Sequence, residues 1–448
     1  MKIKQLTRSN LLITSIFLGL VFFHLNAFSQ NPNNHRLLTN EVKANLVDKI
    51  SKILKDSYVL PAEGKLMSAY IKACLKNNYY DKISDPSQFA DSLTAGLQSV
   101  CNDKHLSINY DPEAEKTFDE GLGNNNPDKE YSDEMKKDNY GFKKVERLSG
   151  NIGYIDIRSF SPPEESKETV ASVMEFLSNS DAVIIDLRKN GGGSPYGVQL
   201  FCSYFFGTQP VHLNDIYSRD NSREEYWTIP DIAGKRMPDM PLYILTGSYT
   251  FSAAEEFAYD LKVLKRATII GESTRGGANS GGVASLGSGF VMFVPKGRAV
   301  NPETKTNWEG EGVQPDLPIA SDKALEQAEI LALRQISDNT ANEKEKLHLK
   351  WMTESLEGAL NQPELSEAQL KIYVGNYEDR KVTLENGSLY YQRNRNAKFR
   401  MTPMTDDMFM FDELESFRII FLKDSKGKVT GLLGIYDDGH ADKSKRTN

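Results

Sequence analysis

The chain has 448 residues, 39% of them hydrophobic and 26% charged, more than one compact domain usually holds, which points to two or three domains with full-sized cores. Its 54 basic against 62 acidic side chains give a formal charge of −8, and loss of a segment carrying Lys2, Lys4 and Arg8 would remove three cations and take it to −11, a balance that argues against nucleic acid as a partner. Three cysteines (Cys74, Cys101, Cys202) are too few for a disulfide framework and six histidines leave little for metal sites, so stability must rest on buried apolar area.

Residues 1–29 run from a basic start through the apolar stretch Leu11 to Phe23 to small residues at Ala27 and Ser29, the layout of a cleavable secretory signal. The expected mature chain begins near Gln30. The apolar run is shorter than the roughly 20 residues of a spanning helix, so the expectation is export to the periplasm or medium without stable membrane insertion.

From Leu38 to Val100 apolar residues recur at three- and four-residue steps (Val42, Leu46, Ile50, Ile53, Leu54, then Leu66, Tyr70, Ile71, Cys74), which predicts an N-terminal helical domain over 30–110. Residues 111–140 are acidic, rich in Asn and Gly and nearly free of aliphatics, as in a linker or mobile loop. From 141 to about 335 short β-branched runs alternate with amphipathic stretches: NIGYIDI, a helix over about 164–178, AVIIDL, a helix from about 195, PLYILTG, a helix from 253, and ATIIGE. Ala182 to Leu187 is apolar at nearly every position, as expected of a parallel strand covered on both faces. The fold class is therefore α/β, with sites expected in loops at the carboxyl ends of strands. After a helical segment over about 322–360, residues 365–440 read as a small, mainly antiparallel accessory domain with an Asn386-Gly387 hairpin turn.

Three segments carry candidate chemistry. In AVIIDLRKNGGGSP a buried strand runs into Asn190 and three glycines, which can bring backbone N–H groups to an anion or oxyanion, or can simply form a tight strand-to-helix turn. In PLYILTGSYTFSAAEEFAYDLK, Ser252 stands just before a helix. It reads either as an N-cap or as a nucleophile whose helix offers the Ala253 N–H toward an oxyanion. The elbow Gly-x-Ser-x-Gly is absent. A serine nucleophile needs a base. His24 lies in the leader, His35 near the new N-terminus, His348 in a charged helix and His440 in the tail, which leaves His105 and His212. His105, in NDKHLSINY, sits where the helical domain meets the core, and an inter-domain cleft lets distant segments meet.

AVIIDLRKNGGGS, TGSYTFSAAEEFA, GESTRGGA, EGVQPD and the upstream DKHL resemble motifs of the C-terminal-processing (tail-specific) serine peptidases, the family that includes interphotoreceptor retinoid-binding protein and the core of tricorn protease. The resemblance covers roughly residues 40–335. It implies a ClpP/crotonase-like core and peptide-bond hydrolysis through an acyl-enzyme on Ser252, with the Ala253 N–H and that of Gly193 or Gly192 as the oxyanion hole and with no metal or organic cofactor. In the tail-specific branch a lysine ends Gly-x-x-Thr-x-Gly-Lys, whereas this chain has Gly277 at that place. The likeness is instead to the tricorn-type branch, where the histidine of an Asp-x-His segment serves as base. That implies His105 as base and Glu309 as the carboxylate orienting it. The serine that links the two in tricorn is replaced by Lys104, leaving Ser107, Glu311 or water for that part. The roughly 45 residues between His105 and the first core strand, mostly polar linker, are too few for a PDZ module. The expected partner is a peptide or protein substrate, with oligomeric state open. A non-catalytic binder of a peptide or apolar ligand on the same scaffold, and an esterase, are the alternatives.

Overall fold

The computed structural model describes residues 38–120 and 133–447; the expected leader and part of the acidic segment lie outside the described residues. Three helices open it: Asn40–Ser57, Pro61–Lys76 and Pro86–Val100. Thr39 and Asp85 cap the first and third through Val42 and Gln88 N–H groups, and prolines begin the second and third, where a missing N–H costs nothing. Leu46, Ile50, Leu54, Met67, Ile71, Phe89 and Leu93 form their shared core.

That core is closed by a three-stranded antiparallel sheet in the order β1 (Ser107–Tyr110), β10 (Phe290–Pro295), β9 (Gly281–Gly287). Ile108 and Leu106 pack there with Phe290, Met292 and Val294. Residues about 180 apart in sequence thus tie the helical unit to the rest of the chain, and His105 sits at the tie, one residue before the first of these apolar side chains.

The central sheet has the order β12 (Leu317–Pro318), β8 (Thr268–Gly271), β7 (Leu242–Thr246), β4 (Ala182–Asp186), β3 (Ile152–Ile157), β2 (Phe142–Leu148). All neighbours are parallel except the edge strand β2. Alternate residues of one strand serve opposite cores. Val183 and Ile185 pack with Met174, Phe201 and Phe257 of the helices Pro163–Leu177, Pro195–Ser203 and Ala253–Val263, while Ala182 and Ile184 pack with Ala328 and Leu333 of the helix Ala324–Asn339. Two covered faces explain why the run is apolar throughout. A third small sheet, β11 (Gly297–Val300), β5 (His212–Ser218), β6 (Arg223–Trp227), is antiparallel.

Within the segment read as a linker, Pro112–Glu120 forms a helix. Asp111 takes the Ala114 N–H, Pro112 starts the first turn, and Glu115 binds the Gly289 N–H of the β9–β10 turn. Capping and an N-terminal acidic turn outweigh the lack of aliphatics. After the helices Ala324–Asn339 and Glu343–Leu360, the C-terminal part builds two antiparallel sheets of four and five strands. Asn386 and Gly387 turn one hairpin with φ of 49° and 76°, the pair of positive values a type I′ turn needs. Among the described residues no helix is long and apolar enough to cross a membrane.

Candidate active site

Two turns at the carboxyl ends of β4 and β7 meet first. After β4 the chain passes through Asn190 to Gly193 before the helix Pro195–Ser203. A Cβ on Gly193 would lie 2.2 Å from the Phe160 carbonyl oxygen, and its φ is 136°, so only glycine fits this close approach. Asn190, fully buried, donates to the Ile157 carbonyl at 3.0 Å and accepts the Gly192 N–H at 2.8 Å. The Gly191 N–H goes to the Arg158 carbonyl. Of the three glycine amides, Gly193's alone has no partner among the described residues. Gly192 instead supplies closeness: a Cβ there would lie 2.8 Å from the Ser252 Cβ and 3.2 Å from the Ala253 nitrogen.

Ser252 ends the turn after β7 and precedes the helix Ala253–Val263 with φ 57° and ψ −125°. A non-glycine residue held there is strained, at a cost of about 1–3 kcal/mol. Ser252 and Glu255 stand in the arrangement of a capping box, but of its two bonds only the one from the Ser252 N–H to the Glu255 carboxylate is made at hydrogen-bond distance, and the serine side chain forms no cap hydrogen bond. The backbone is instead held by Glu255. This carboxylate, fully buried, accepts from the Ser252 N–H at 2.9 Å, the Gly277 N–H at 2.8 Å, the Gly276 N–H at 2.6 Å and the Thr274 hydroxyl at 2.5 Å. Burial pushes its pKa up and the four donors oppose the shift. Glu255 thereby bolts the Ser252 turn to the Gly271–Gly277 loop. The Ala253 N–H, in the first helical turn, has no backbone partner among the described residues, as befits an open helix N-terminus.

His105 comes to the same place from the other side. Its imidazole lies 4.3 Å, centroid to centroid, from the ring of Phe251, the residue before Ser252, and 5.6 Å from Phe293 on β10. A Cβ on Gly277 would stand 2.2 Å from Phe251 Cε2 and 2.9 Å from His105 Cε1. The space that a longer residue at 277 would need is filled by the histidine and the phenylalanine. The His105 and Ser252 side chains make no hydrogen bond to each other in this conformation. His212, the other candidate, bonds Asp215 at 2.8 Å and stacks on Trp227 at 4.1 Å, so its nitrogen and its ring face are both engaged away from the serine turn.

Asp103, His105 and Glu309 each offer a donor atom within 4.8 Å of the others, the one such grouping among the described residues. Asp103 is 1% exposed. It accepts the His105 N–H at 3.0 Å, and the Tyr58 hydroxyl and Asn279 amide at 2.9 Å each. Glu309 Oε2 accepts the Ala278 and Asn279 N–H groups, while Oε1 and the His105 Nδ1 are buried without partners. Neither Ser107 nor Glu311 bonds these groups among the described residues, and the Lys104 ammonium reaches across to the Arg275 carbonyl at 2.5 Å. Burial drives the His105 pKa down to about 4; Asp103 opposes this and Arg275 adds to it. The imidazole is therefore neutral at pH 7, able to accept a proton. Burial, then the charge of Asp103, pushes Glu309 up to about 7, against the Ala278 and Asn279 amides.

The arrangement offers a hydroxyl on a strained turn, a neutral imidazole nearby and two unused amides, a set suited to acyl transfer. Residues 151–319 match peptidase family S41, and residues 37–140 match the N-terminal domain of Peptidase_S41 in eukaryotic IRBP. Residues 151–319 thus form a peptidase family S41 domain, preceded by a segment similar to the N-terminal domain of that family. It is 32% identical over 180 residues to the chloroplastic carboxyl-terminal-processing peptidase 2 of Arabidopsis thaliana, covering 38% of this chain and 32% of that one. It is 33% identical over 135 residues to the tail-specific protease of Haemophilus influenzae, covering 29% and 18%. The chain thus spans less than a third of the length of either relative. The solved photosystem II D1 C-terminal processing protease aligns with a TM-score of 0.39 and 15% identity over 64% of this chain and 94% of that one.

Sequence reasoning passed over Glu255, Asp103, Phe251, Phe293 and the donor choice made by Asn190. Ser252-x-x-Glu255 is the spacing of a capping box, which was the available signal for Glu255. Asp103 and Asn190 act over two residues, on the His105 and Gly192 N–H groups, whereas Phe251 and Phe293 are set by tertiary contacts.

Proposed function

We propose that this protein is an exported serine peptidase in which Ser252 attacks the scissile carbonyl and His105 takes its proton. In this reading the neutral imidazole acts through Nε2, since Nδ1 is enclosed. The tetrahedral oxygen is held by the Gly193 and Ala253 N–H groups, each worth about 10²–10³ in rate. Collapse expels the amine, which receives the proton from His105, and water activated by the same base resolves the acyl-enzyme. Gly192 contributes space for the turn and not a donor, and Glu309 sets the charge around the base. Export rests on the basic-then-apolar leader of residues 1–29.

The observation that carries the reading is the convergence of His105 on Phe251, beside a Ser252 hydroxyl left free of its usual cap. Ser252→Ala should abolish hydrolysis of a fluorogenic peptide library while leaving the circular dichroism and melting profile unchanged; undiminished cleavage would remove the proposal. The second reading is a non-catalytic peptide binder on the same scaffold. The unmade Ser252–His105 hydrogen bond favours it, although such bonds often tighten only with substrate present. Binding of the library by the wild type without turnover, and without labelling of Ser252 by a fluorophosphonate, would select it.

A further inference from the structure

Among the described residues no side chain makes a hydrogen bond to the His105 ring that would fix its plane. The His105 backbone N–H is tied to Asp103, but Nδ1 is buried and unbonded. Two aromatic rings pack against the imidazole. Phe251 lies at 4.3 Å with 35° between planes, and Phe293 at 5.6 Å with 25°. The two come from different elements: Phe251 from the serine turn, Phe293 from β10, where it pairs with Ser107 of β1, two residues after the histidine. Phe251 is itself held by its N–H to the Asn190 carbonyl at 3.2 Å and by the Arg275 guanidinium 4.8 Å from its ring. Gly277 leaves the room for the Phe251 ring and for the imidazole itself.

We propose that Phe251 and Phe293 are positioning residues that clamp the His105 imidazole between them and orient it by packing, the part that a hydrogen-bonded relay would otherwise serve. The inference rests on His105 being the base for Ser252 as far as rate is concerned, but the clamp itself is a structural claim. Both ring planes lie within 35° of the imidazole plane, the near-parallel geometry in which aromatic rings attract beyond the area they bury. They also keep water from it. The charged groups around the ring are Asp103 and Lys104 from its own segment, Arg275 from the loop after β8, and Glu309 from the loop after β11. None of them replaces the lost face when a phenyl group is removed.

Phe293 is outside the buried core cluster of its strand, which uses Phe290, Met292 and Val294, so Phe293→Leu tests the clamp without emptying that core. Phe293→Tyr keeps a ring and is the conservative control. The first measurement is the NMR titration of the His105 imidazole in the Ser252→Ala protein, its signal assigned by loss in His105→Gln. Phe293→Leu should raise the midpoint by about one pH unit as water reaches the ring, and Phe293→Tyr should leave it in place. The second is peptide hydrolysis in the active protein. Phe293→Leu should lower kcat by roughly tenfold or more with KM nearly unchanged, and Phe293→Tyr should restore it. A midpoint that Phe293→Leu does not move, or that both variants move equally, overturns the clamp. An inactive wild type with the expected titration would instead overturn the peptidase reading and leave the clamp standing.

Discussion

Replacing Gly277 by alanine places one methyl group where the His105 ring and the Ser252 turn meet. That Cβ would stand 2.2 Å from Phe251 Cε2, 2.6 Å from Cζ and 2.9 Å from His105 Cε1, whereas carbon atoms settle at about 3.5–4.0 Å. Phe251 must retreat by more than about 1 Å and His105 by about half that or more to restore contact. Overpacking of this kind costs about 1–3 kcal/mol of stability, which a chain with several separate cores survives. Misplacing a catalytic group by about 1 Å costs roughly 10²-fold in rate, so activity should fall far more than stability. kcat on a fluorogenic peptide and the melting temperature, measured on the same preparation, separate the two. Expected is a folded protein whose melting point drops by a few degrees and whose kcat drops about a hundredfold. A folded Gly277→Ala protein with wild-type kcat would refute the packing argument. By the same geometry Gly277→Lys should yield no Ser–Lys dyad and no activity in a His105→Gln background.

With the His105 pKa depressed to about 4 from 6.5, the imidazole stays a base well below neutrality, so the acid limb of kcat/KM should fall near pH 4. A half-maximal rate at pH 6.5 would contradict this. Because the unfolded histidine binds its proton first, that shift also removes stability as pH falls from 6.5 toward 4, to be read by urea unfolding across that range. Glu255→Gln presents an amide where Ser252, Gly276 and Gly277 N–H groups need an acceptor, and should cost about 2–4 kcal/mol in urea unfolding together with most of the activity. On the same helix Glu256 and Asp260 are buried, and burial raises both pKa values, Glu256 to about 7. The unfolded carboxyls ionise first as pH rises, so stability should fall between about pH 4.5 and pH 7 by on the order of 1–3 kcal/mol. Asp260→Asn should flatten that slope; an unchanged slope would show that the pair does not carry it.

Much of the architecture was legible because periodicity reports burial. Continuous apolar runs marked β3, β4, β7 and β8, whose alternate residues feed two cores, and Asn386-Gly387 marked its hairpin. The helix Pro112–Glu120 escaped notice because its support is a cap and a Glu115 contact from a distant turn, not an apolar stripe. At the site, residue type pointed to Ser252, His105 and the glycines. Pattern could not show that Ser252 adopts φ 57° without the glycines of a hydrolase elbow, since Glu255, which holds its N–H, is itself fixed by the Gly276 and Gly277 N–H groups of a distant loop. Nor could it choose between Gly192 and Gly193, a choice made by the Asn190 side chain. Phe251 and Phe293 read as ordinary apolar residues until β1 and β10 pair.

The most direct test of the account is the reaction of the intact protein with a fluorophosphonate probe, with the adduct located by mass spectrometry and its rate compared between wild type and His105→Gln. The account expects a single adduct on Ser252 and a rate at least about a thousandfold lower in the variant. An unmodified Ser252, or one that reacts as fast without the imidazole, would contradict it.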